Sequence, residues 1–439
     1  METPDGGIDP AAPTRQRGAI VIGGDYRGLG VVRSLGRRGI PLCVVTDEYR
    51  LAGLSRYVDR RLKWPANESD QLKFLLDLAA HRGLAGWVLF PTGDETASLI
   101  ARNHACLASR FTLTTPPWET LRWAYNKQLT YRLARQLGIP SPLTCYPKNR
   151  EELVRLECSF PIILKPAHKR NPSRFTRDKA WLAADRDHML ALYDEACTMI
   201  ERGAIMLQEL IPGAGASQFS FAALCAEGKP LASLVAIRQR QHPLDFGHSS
   251  SYVESIEQPE VERLGRSVLG AIRFNGLAEV EFKRDPRDGI FKLLDINPRV
   301  WGWHTLGARA GVDFSYLAWQ LANGVTLNEA RGRAGVRWMR AITDVAAAVE
   351  QFRAGHLSLR GYLRSLRGPL EFAIWAPDDP LPSLCEIPSL MRTNFSIRRT
   401  LARPDSAAVR PRGTDPQVLP RGADLIDDAS GLHSDSPVA

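Results

Sequence analysis

Hydrophobic positions fall into two patterns along the chain. The runs AIVIGG (19–24), IPLCVVTD (40–47) and GWVLFP (86–91) are short and uninterrupted. Strands covered on both faces read this way. Between them, RGLGVVRSLGRRG is a helix opened by glycines, and TGDETASLIARN is a capped helix start. Alternating strand and helix predicts a parallel sheet over residues 18–118, after a disordered leader at 1–17. From about residue 119 the pattern changes. ETLRWAYNKQLTYRLARQLGIPSP reads as one long amphipathic helix stopped by Gly138 and Pro140. Short strands PIILKPA (161–167) and AIMLQELI (204–211) follow. A longer antiparallel set comes next: QFSFAALCAEGKPLASLVAIRQR, LAEVEFKRD and IFKLLDIN, closed by a helix over LGARAGVDFSYLAWQLANG. Residues 331–400 read as a helical appendix with Pro-rich turns, and 401–439 as a disordered tail.

Composition narrows the class of function only a little. A chain of 439 residues holds two or three domains and a substantial core. The formal charge of +9 is carried mostly by arginine, which suits phosphate or carboxylate ligands. Part of that excess sits in RTNFSIRRTLARPDSAAVRPRG near the C-terminus. No base-stacking motif or compact basic helix accompanies the charge, so no nucleic-acid partner is expected. No segment approaches the roughly 20 apolar residues of a membrane span. METPDGGIDPAAPTRQRG has no apolar core, so it is not read as a signal peptide. The seven cysteines stand singly with no CxxC pair, which predicts reduced thiols, a cytoplasmic setting and no zinc site.

The candidate chemistry lies in FKLLDINPRVWGWH (291–304). Strand side chains alternate faces, so Asp295, Asn297 and Arg299 share one side. DPRDG is a strong turn signal that joins this strand to LAEVEFKRD in a hairpin. On the partner strand Glu279, Glu281 and Lys283 share a face, opposite Asp295 and Asn297. Carboxylates beside an amide oxygen suit a magnesium ion completed by nucleotide phosphates. A solvated acidic face is the ordinary alternative, and the adjoining tryptophans argue against it. Turn length leaves Glu279 and Glu281 both open as the ligand. In AIRQRQHP, Arg238 and Arg240 lie on one strand face and lead toward the same place, as a carboxylate or phosphate clamp would. GGDYRGLG, with Asp47 ending the next strand, invites a dinucleotide reading, but its spacing is not G-x-G-x-x-G.

The order NK on a helix, then PIILKP, IMLQELIPG, AEVEFKRD and LLDINPR, resembles the ATP-grasp superfamily over roughly residues 18–330. Within it, the chain is similar to carboxylate–amine ligases. The resemblance implies an α/β (α+β) ATP-grasp fold. A Rossmann-like domain would occupy 18–118 and the ATP-grasp domain 119–330, its small lobe at about 158–211, before the helical appendix. It implies that Glu281, Asp295 and Asn297 hold Mg2+, or Mn2+ in its place, on the phosphates of ATP. Lys127 and Lys165 would reach the phosphates. In the hinge MLQELIPG, Gln208 would offer its amide, Glu209 and Leu210 their backbone, and Ile211 a packing face for adenine. Arg299 fits the family's catalytic arginine. The first domain would shape the acceptor site, with Gly24, Asp94 and Glu95 at strand ends as substrate contacts.

Two departures from the family pattern stand out. The loop after Lys165, AHKRNPSRFTRDKAW, has no glycine and five Lys/Arg side chains, where relatives are glycine-rich. In GAGASQFS, Ser217 or Gln218 stands where many relatives carry an acid for the ribose. The expected function is ATP-dependent ligation of a small-molecule carboxylate to an amine through an acyl phosphate. An oligomer is compatible with this reading. The rival readings are an NAD(P)-linked oxidoreductase using residues 18–50 and a non-catalytic ATP-grasp module.

Overall fold

In the computed structural model the N-terminal apolar runs pair as the sequence pattern predicts. Ala19–Ile22 is the central strand of a five-stranded sheet, between Leu42–Thr46 and Val88–Pro91. Arg60–Lys63 and Thr112–Leu113 form the edges, and every pairing is parallel. Those two edge strands carry too little apolar sequence to be read in advance. Helices Tyr26–Gly36, Glu68–His81 and Asp94–Arg102 follow the three inner strands or their neighbours. Gly23, at φ 129°, makes the turn from the first strand into helix Tyr26–Gly36. A side chain there would meet Thr92 Oγ1 at 1.9 Å. The structure describes residues 17–386 apart from 48–49, 168–172, 179, 214 and 243–248. The tail, the leader up to residue 16, and residues 168–172 and 179 of the basic loop after Lys165 therefore lie outside the described residues. The rest of that loop forms helix Arg174–Asp178 and leads into Trp181–Ala183.

Two further sheets follow, the smaller antiparallel and the larger antiparallel except where Leu370–Phe372 joins Arg337–Met339 and Ala330–Arg331 joins Lys229–His242 in parallel. The smaller has the order Thr144–Cys145, Ile205–Glu209, Ile162–Pro166, Trp181–Ala183. Leu164, Phe175, Trp181, Met189, Tyr193 and Leu207 close its core against helix Arg186–Cys197. The larger runs Phe291–Asn297, Gly276–Arg284, Gln218–Ala226, Lys229–His242, Ser249–Ser255, Arg337–Met339, Leu370–Phe372. One face of it buries Phe221, Val280 and Phe282 under helix Pro259–Ala271. The other face joins Trp301, Trp303 and Phe314 to residues of helix Tyr26–Gly36 in a single core. The first sheet's leading helix thus packs where the hairpin ends, and this sets the position of the cavity described below.

Three local differences from the sequence reading have physical causes. The long helix expected after residue 119 is two helices, Trp118–Tyr125 and Lys127–Gln136. Asn126 breaks it by adopting an extended backbone and accepting the Gln128 N–H at 2.9 Å, a standard N-cap. The closing helix is likewise two, Thr305–Ala310 and Phe314–Ala322, parted by Gly311 at φ 101°. In the C-terminal region helices Ala341–Arg353 and Leu359–Ser365 are present, but Arg337–Met339 and Leu370–Phe372 extend the large sheet. Three-residue strands are too short for alternation to reveal.

Candidate active site

The hairpin register is fixed by pairing rather than by its turn. Glu281 stands opposite Asp295 and Glu279 opposite Asn297, with a bulge after Glu281. These four side chains line one cavity of about 950 Å³. Lys165 enters it from the end of Ile162–Pro166, Lys127 from the first position of its helix, and Arg299 from just beyond the hairpin. Asp295 Oδ2 lies 2.7 Å from Lys127 Nζ. Asn297 Nδ2 donates to Glu281 Oε1 at 2.9 Å and to Glu279 Oε2 at 3.1 Å. Its Oδ1 accepts from Arg299 Nη2 at 3.1 Å. Arg299 also forks onto Asp94, at 2.8 and 3.2 Å.

Lys127, Lys165, Arg238 and Lys283 all line the cavity and suit the several negative charges of a nucleotide triphosphate. Burial, and next the charge of Lys127, push Lys165 down to about 8. Its Nζ donates to Gln208 Oε1 at 3.0 Å. Glu279 is buried and accepts from Ser220 Oγ and Trp303 Nε1, both at 2.9 Å. Burial, then the neighbouring Glu281, raise its carboxyl above the ordinary range.

The oxygen-only set Glu281, Asp295 and Asn297 fits a hard divalent cation. Among the described residues no three His, Cys, Asp or Glu side chains form a closed metal cage. Magnesium does not ask for one: it is held by one or two carboxylates, with phosphate and water completing the shell. Cations line the same cavity, so a bound anion would be drawn to this wall.

Other candidates divide between the cavity and the scaffold. Gln208 borders the cavity, but its amide nitrogen is spent on Tyr131 Oη (2.8 Å) and Thr144 Oγ1 (3.0 Å), so the side chain orients Lys165. Glu209 lines the cavity, giving its N–H to Leu143 O at 2.9 Å and its carboxylate to Lys292 at 2.8 Å. Leu210 and Ile211 line the cavity, and Ile211 O accepts from Lys283 Nζ at 2.8 Å. Gln218 lines it too, donating to Glu281 Oε2 at 2.5 Å.

Arg238 also reaches the cavity, 3.8 Å from Glu281. Arg240 does not. A bulge between the two arginines breaks their common face, and Arg240 is buried on Asp344 at 2.8 and 2.9 Å. Asp94 lines the cavity, whereas Gly24 and Glu95 are not among the residues that do. The lining residues Asp25, Tyr26 and Arg27, immediately after Gly24, were missed. Their signal was the polar DYR at a strand's C-terminal end. Glu279 and Lys283 were visible as face-sharing neighbours of the predicted residues, and Trp303 only as one of the adjoining tryptophans.

The same turn bears on the dinucleotide reading. Asp25 Oδ1 takes the Arg27 and Gly28 N–H groups at 2.9 and 3.4 Å. The helix N-terminus that would cradle a pyrophosphate is already filled by a carboxylate.

No family model matches the chain. Over 300 residues it is 23% identical to a D-aspartate ligase of Enterococcus faecium, covering 64% of this chain and 70% of that protein. It is also 23% identical to the large chain of carbamoyl phosphate synthase from Thermomicrobium roseum, but spans only 30% of that protein's length. Among solved structures, an L-amino acid ligase from Bacillus licheniformis superposes with a TM-score of 0.55 at 17% identity, over 72% of this chain and 76% of that one. A biotin carboxylase domain from Hydrogenobacter thermophilus, solved with MgADP, gives 0.58 at 17% identity, over 74% of each chain. By sequence relationship and architecture together, the chain has the ATP-grasp fold and resembles the carboxylate–amine ligases.

Proposed function

We propose that the protein is an ATP-dependent ligase that joins a carboxylate to an amine. The observation that carries this reading is the convergence of Lys127, Lys165, Glu281, Asp295, Asn297 and Arg299 on one cavity from separate elements. Lys165 and Lys127 meet phosphate charge, Leu210 and Ile211 border the adenine, and Glu281, Asp295 and Asn297 hold the divalent cation. That cation, when bound, neutralises phosphate charge and orients the triphosphate. Arg299, fixed by Asp94 and Asn297, stabilises charge on the transferring phosphoryl group.

In this reaction an oxygen of the substrate carboxylate bonds to the γ-phosphorus as the bond to ADP breaks. An amine nitrogen then attacks the acyl carbon, phosphate leaves with its bonding electrons, and the amine loses a proton. Positioning and charge neutralisation supply the catalysis, and no nucleophilic Ser or Cys is needed. The ligase and amino acid ligase relatives support this assignment over an oxidoreductase, as does the carboxylate that fills the helix N-terminus at residue 25.

The test is ADP release with hydroxylamine as acceptor, screened over pooled carboxylic acids. A hydroxamate from one pool identifies the acid and demonstrates the activated acyl group together. ATP binding with neither ADP release nor hydroxamate from any pool would return the chain to a non-catalytic module.

A further inference from the structure

Two helices near the C-terminal end of the described chain present an outer face that neither the cavity nor the core uses. Helix Ala341–Arg353 turns Asp344, Ala347 and Ala348 inward. On its outer side Val345 and Val349 are 53% and 38% exposed, and Arg353 continues the same stripe at the four-residue spacing. Helix Leu359–Ser365 buries no residue fully. Leu359 and Leu363 are 64% and 53% exposed, Arg360 and Arg364 are exposed on the adjoining stripe, and Arg367 follows just beyond the helix. Both helices are tied inward to one point. Arg240 holds Asp344 and Ser365, and the Phe352 and Tyr362 rings meet edge to face at 5.9 Å. The two apolar stripes therefore face away from the sheet together.

The charge on this outer face has one sign. Its two acids are drawn off it: Asp344 is buried on Arg240, and Glu350 stands 3.4 Å from His242. Among the described residues Arg353, Arg360, Arg364 and Arg367 have no ion-pair partner. The sequence that continues past Glu386 keeps the same sign, with six arginines and one acid from Arg392 to Arg412, and adds Phe395, Ile397 and Leu401. A second copy of the chain, related by a two-fold axis, would set arginine against arginine. An acidic protein with a groove would read anchors at i, i+4 and i+7 of one helix. Here the i+7 position, Leu366, is half-buried. A bilayer takes projecting apolar side chains at its headgroup level and guanidiniums among its phosphates, with no register to match. We propose that this face docks on an anionic lipid bilayer, with Val345, Val349, Leu359 and Leu363 inserted and the four arginines on lipid phosphates. Among the described residues no helix is long and apolar enough to cross a membrane, so the contact lies on the surface. The inference is independent of the ligase reading.

The test sediments the full-length protein with vesicles of phosphatidylcholine alone, or of phosphatidylcholine with about one-third phosphatidylglycerol, and measures the bound fraction at low and high salt. Binding should favour the anionic vesicles at least about tenfold and weaken with salt. Each arginine at an anionic surface is worth about fivefold, so Arg360→Gln with Arg364→Gln should lower the partition coefficient roughly 25-fold. Leu359→Ser with Leu363→Ser should lower it about tenfold or more, by removing the inserted apolar surface. Both variants should keep the wild-type melting temperature, because the replaced side chains are exposed. Arg360→Lys with Arg364→Lys should bind within about twofold of wild type, since a bilayer reads charge rather than the guanidinium fork. Equal binding to neutral and anionic vesicles overturns the proposal. So do Gln and Ser variants that bind like wild type, which would assign the attraction to the arginines beyond Glu386. Binding to polyglutamate with none to vesicles overturns it in favour of an acidic protein partner. A dimer in sedimentation that the Leu359→Ser, Leu363→Ser variant dissolves overturns it in favour of a subunit interface.

Discussion

Asp295 holds Lys127 in the free protein, at 2.7 Å, so the carboxylate and the ammonium screen each other until a nucleotide arrives. On the proposed assignment, Asp295→Ala or Asn297→Ala should lower turnover by orders of magnitude while the melting temperature shows the fold intact. ADP release at near-normal rates in both variants would sink the metal assignment. The role proposed for Arg299 is different. A group acting on charge that develops in the transition state lowers kcat and kcat/KM together, typically by about 10²–10³. Arg299→Ala should therefore bind ATP almost normally by calorimetry and turn over poorly, whereas Lys165→Ala should also lose ATP affinity. Equal losses of affinity would make Arg299 a ground-state phosphate ligand. Lys165 adds a pH dependence, because burial holds it at about 8 in the free protein. Its folded value lies below the unfolded one, so the penalty for burying its charge is fully present below pH 8 and is relieved as pH rises through that value. Phosphate favours the protonated form. ATP binding above pH 8 should therefore take up a proton, seen as a buffer-dependent calorimetric enthalpy that Lys165→Met abolishes. Asp295, Asn297 and Arg299 were legible in the sequence because strand alternation needs only local spacing. Arg240 was misplaced because the bulge and the Asp344 partner that decide its direction are not local.

At the scale of elements, the features read from sequence are those with a long or strongly punctuated pattern. The three inner parallel strands are continuous apolar runs, and the DPRDG turn joins strands of nine and seven residues. What escaped was decided by single residues or by distant partners: the Asn126 cap, the Gly311 break and the added three-residue strands. The cap has a chemical effect, since it sets Lys127 at the head of a new helix instead of mid-helix. Packing of the C-terminal helices depends on one buried ion pair. Arg240 meets Asp344, donates to Ser365 Oγ at 3.0 Å, and lies 3.9 Å over the Tyr252 ring. Breaking such a pair leaves an uncompensated charge and costs about 3–5 kcal/mol. Asp344→Ala should lower the unfolding free energy by about that amount in denaturant titration. Its KM values for ATP and for the acid should stay near wild type. A variant of unchanged stability with a raised KM would return Arg240 to the substrate site.

Across the whole molecule, the last described segment closes back onto the first. Asp379 accepts from Arg33 Nε at 2.9 Å, from Ser55 Oγ at 2.7 Å and from the Arg56 N–H at 3.0 Å. Arg33 also donates to the carbonyls of Ile374 and Asp379, at 2.6 and 2.7 Å. Both side chains are buried, and burial pulls Arg33 below its ordinary value against the opposing pull of Asp379. Asp378 adds a more exposed pair with Arg37 and a bond from Tyr57 Oη. All of this grips helix Tyr26–Gly36, whose first turn carries Tyr26 and Arg27 into the cavity. The clasp therefore has a consequence for stability and another for substrate binding. Asp379→Ala and Arg33→Met should each destabilise by about 3–5 kcal/mol, because each leaves its buried partner without a counter-charge. The double variant should lose clearly less than the sum, since the second change removes the charge that the first one stranded. If helix Tyr26–Gly36 is what the clasp positions, Asp379→Ala should also raise the KM for the activated acid more than the KM for ATP. The side chains proposed to bind ATP, Lys127, Lys165, Leu210 and Ile211, lie on other elements, so their geometry does not pass through this contact. Additive losses would mean that Arg33 and Asp379 do not act as a pair. An equal rise in both KM values would mean that the clasp supports the molecule generally rather than the cavity wall at Tyr26 and Arg27 in particular.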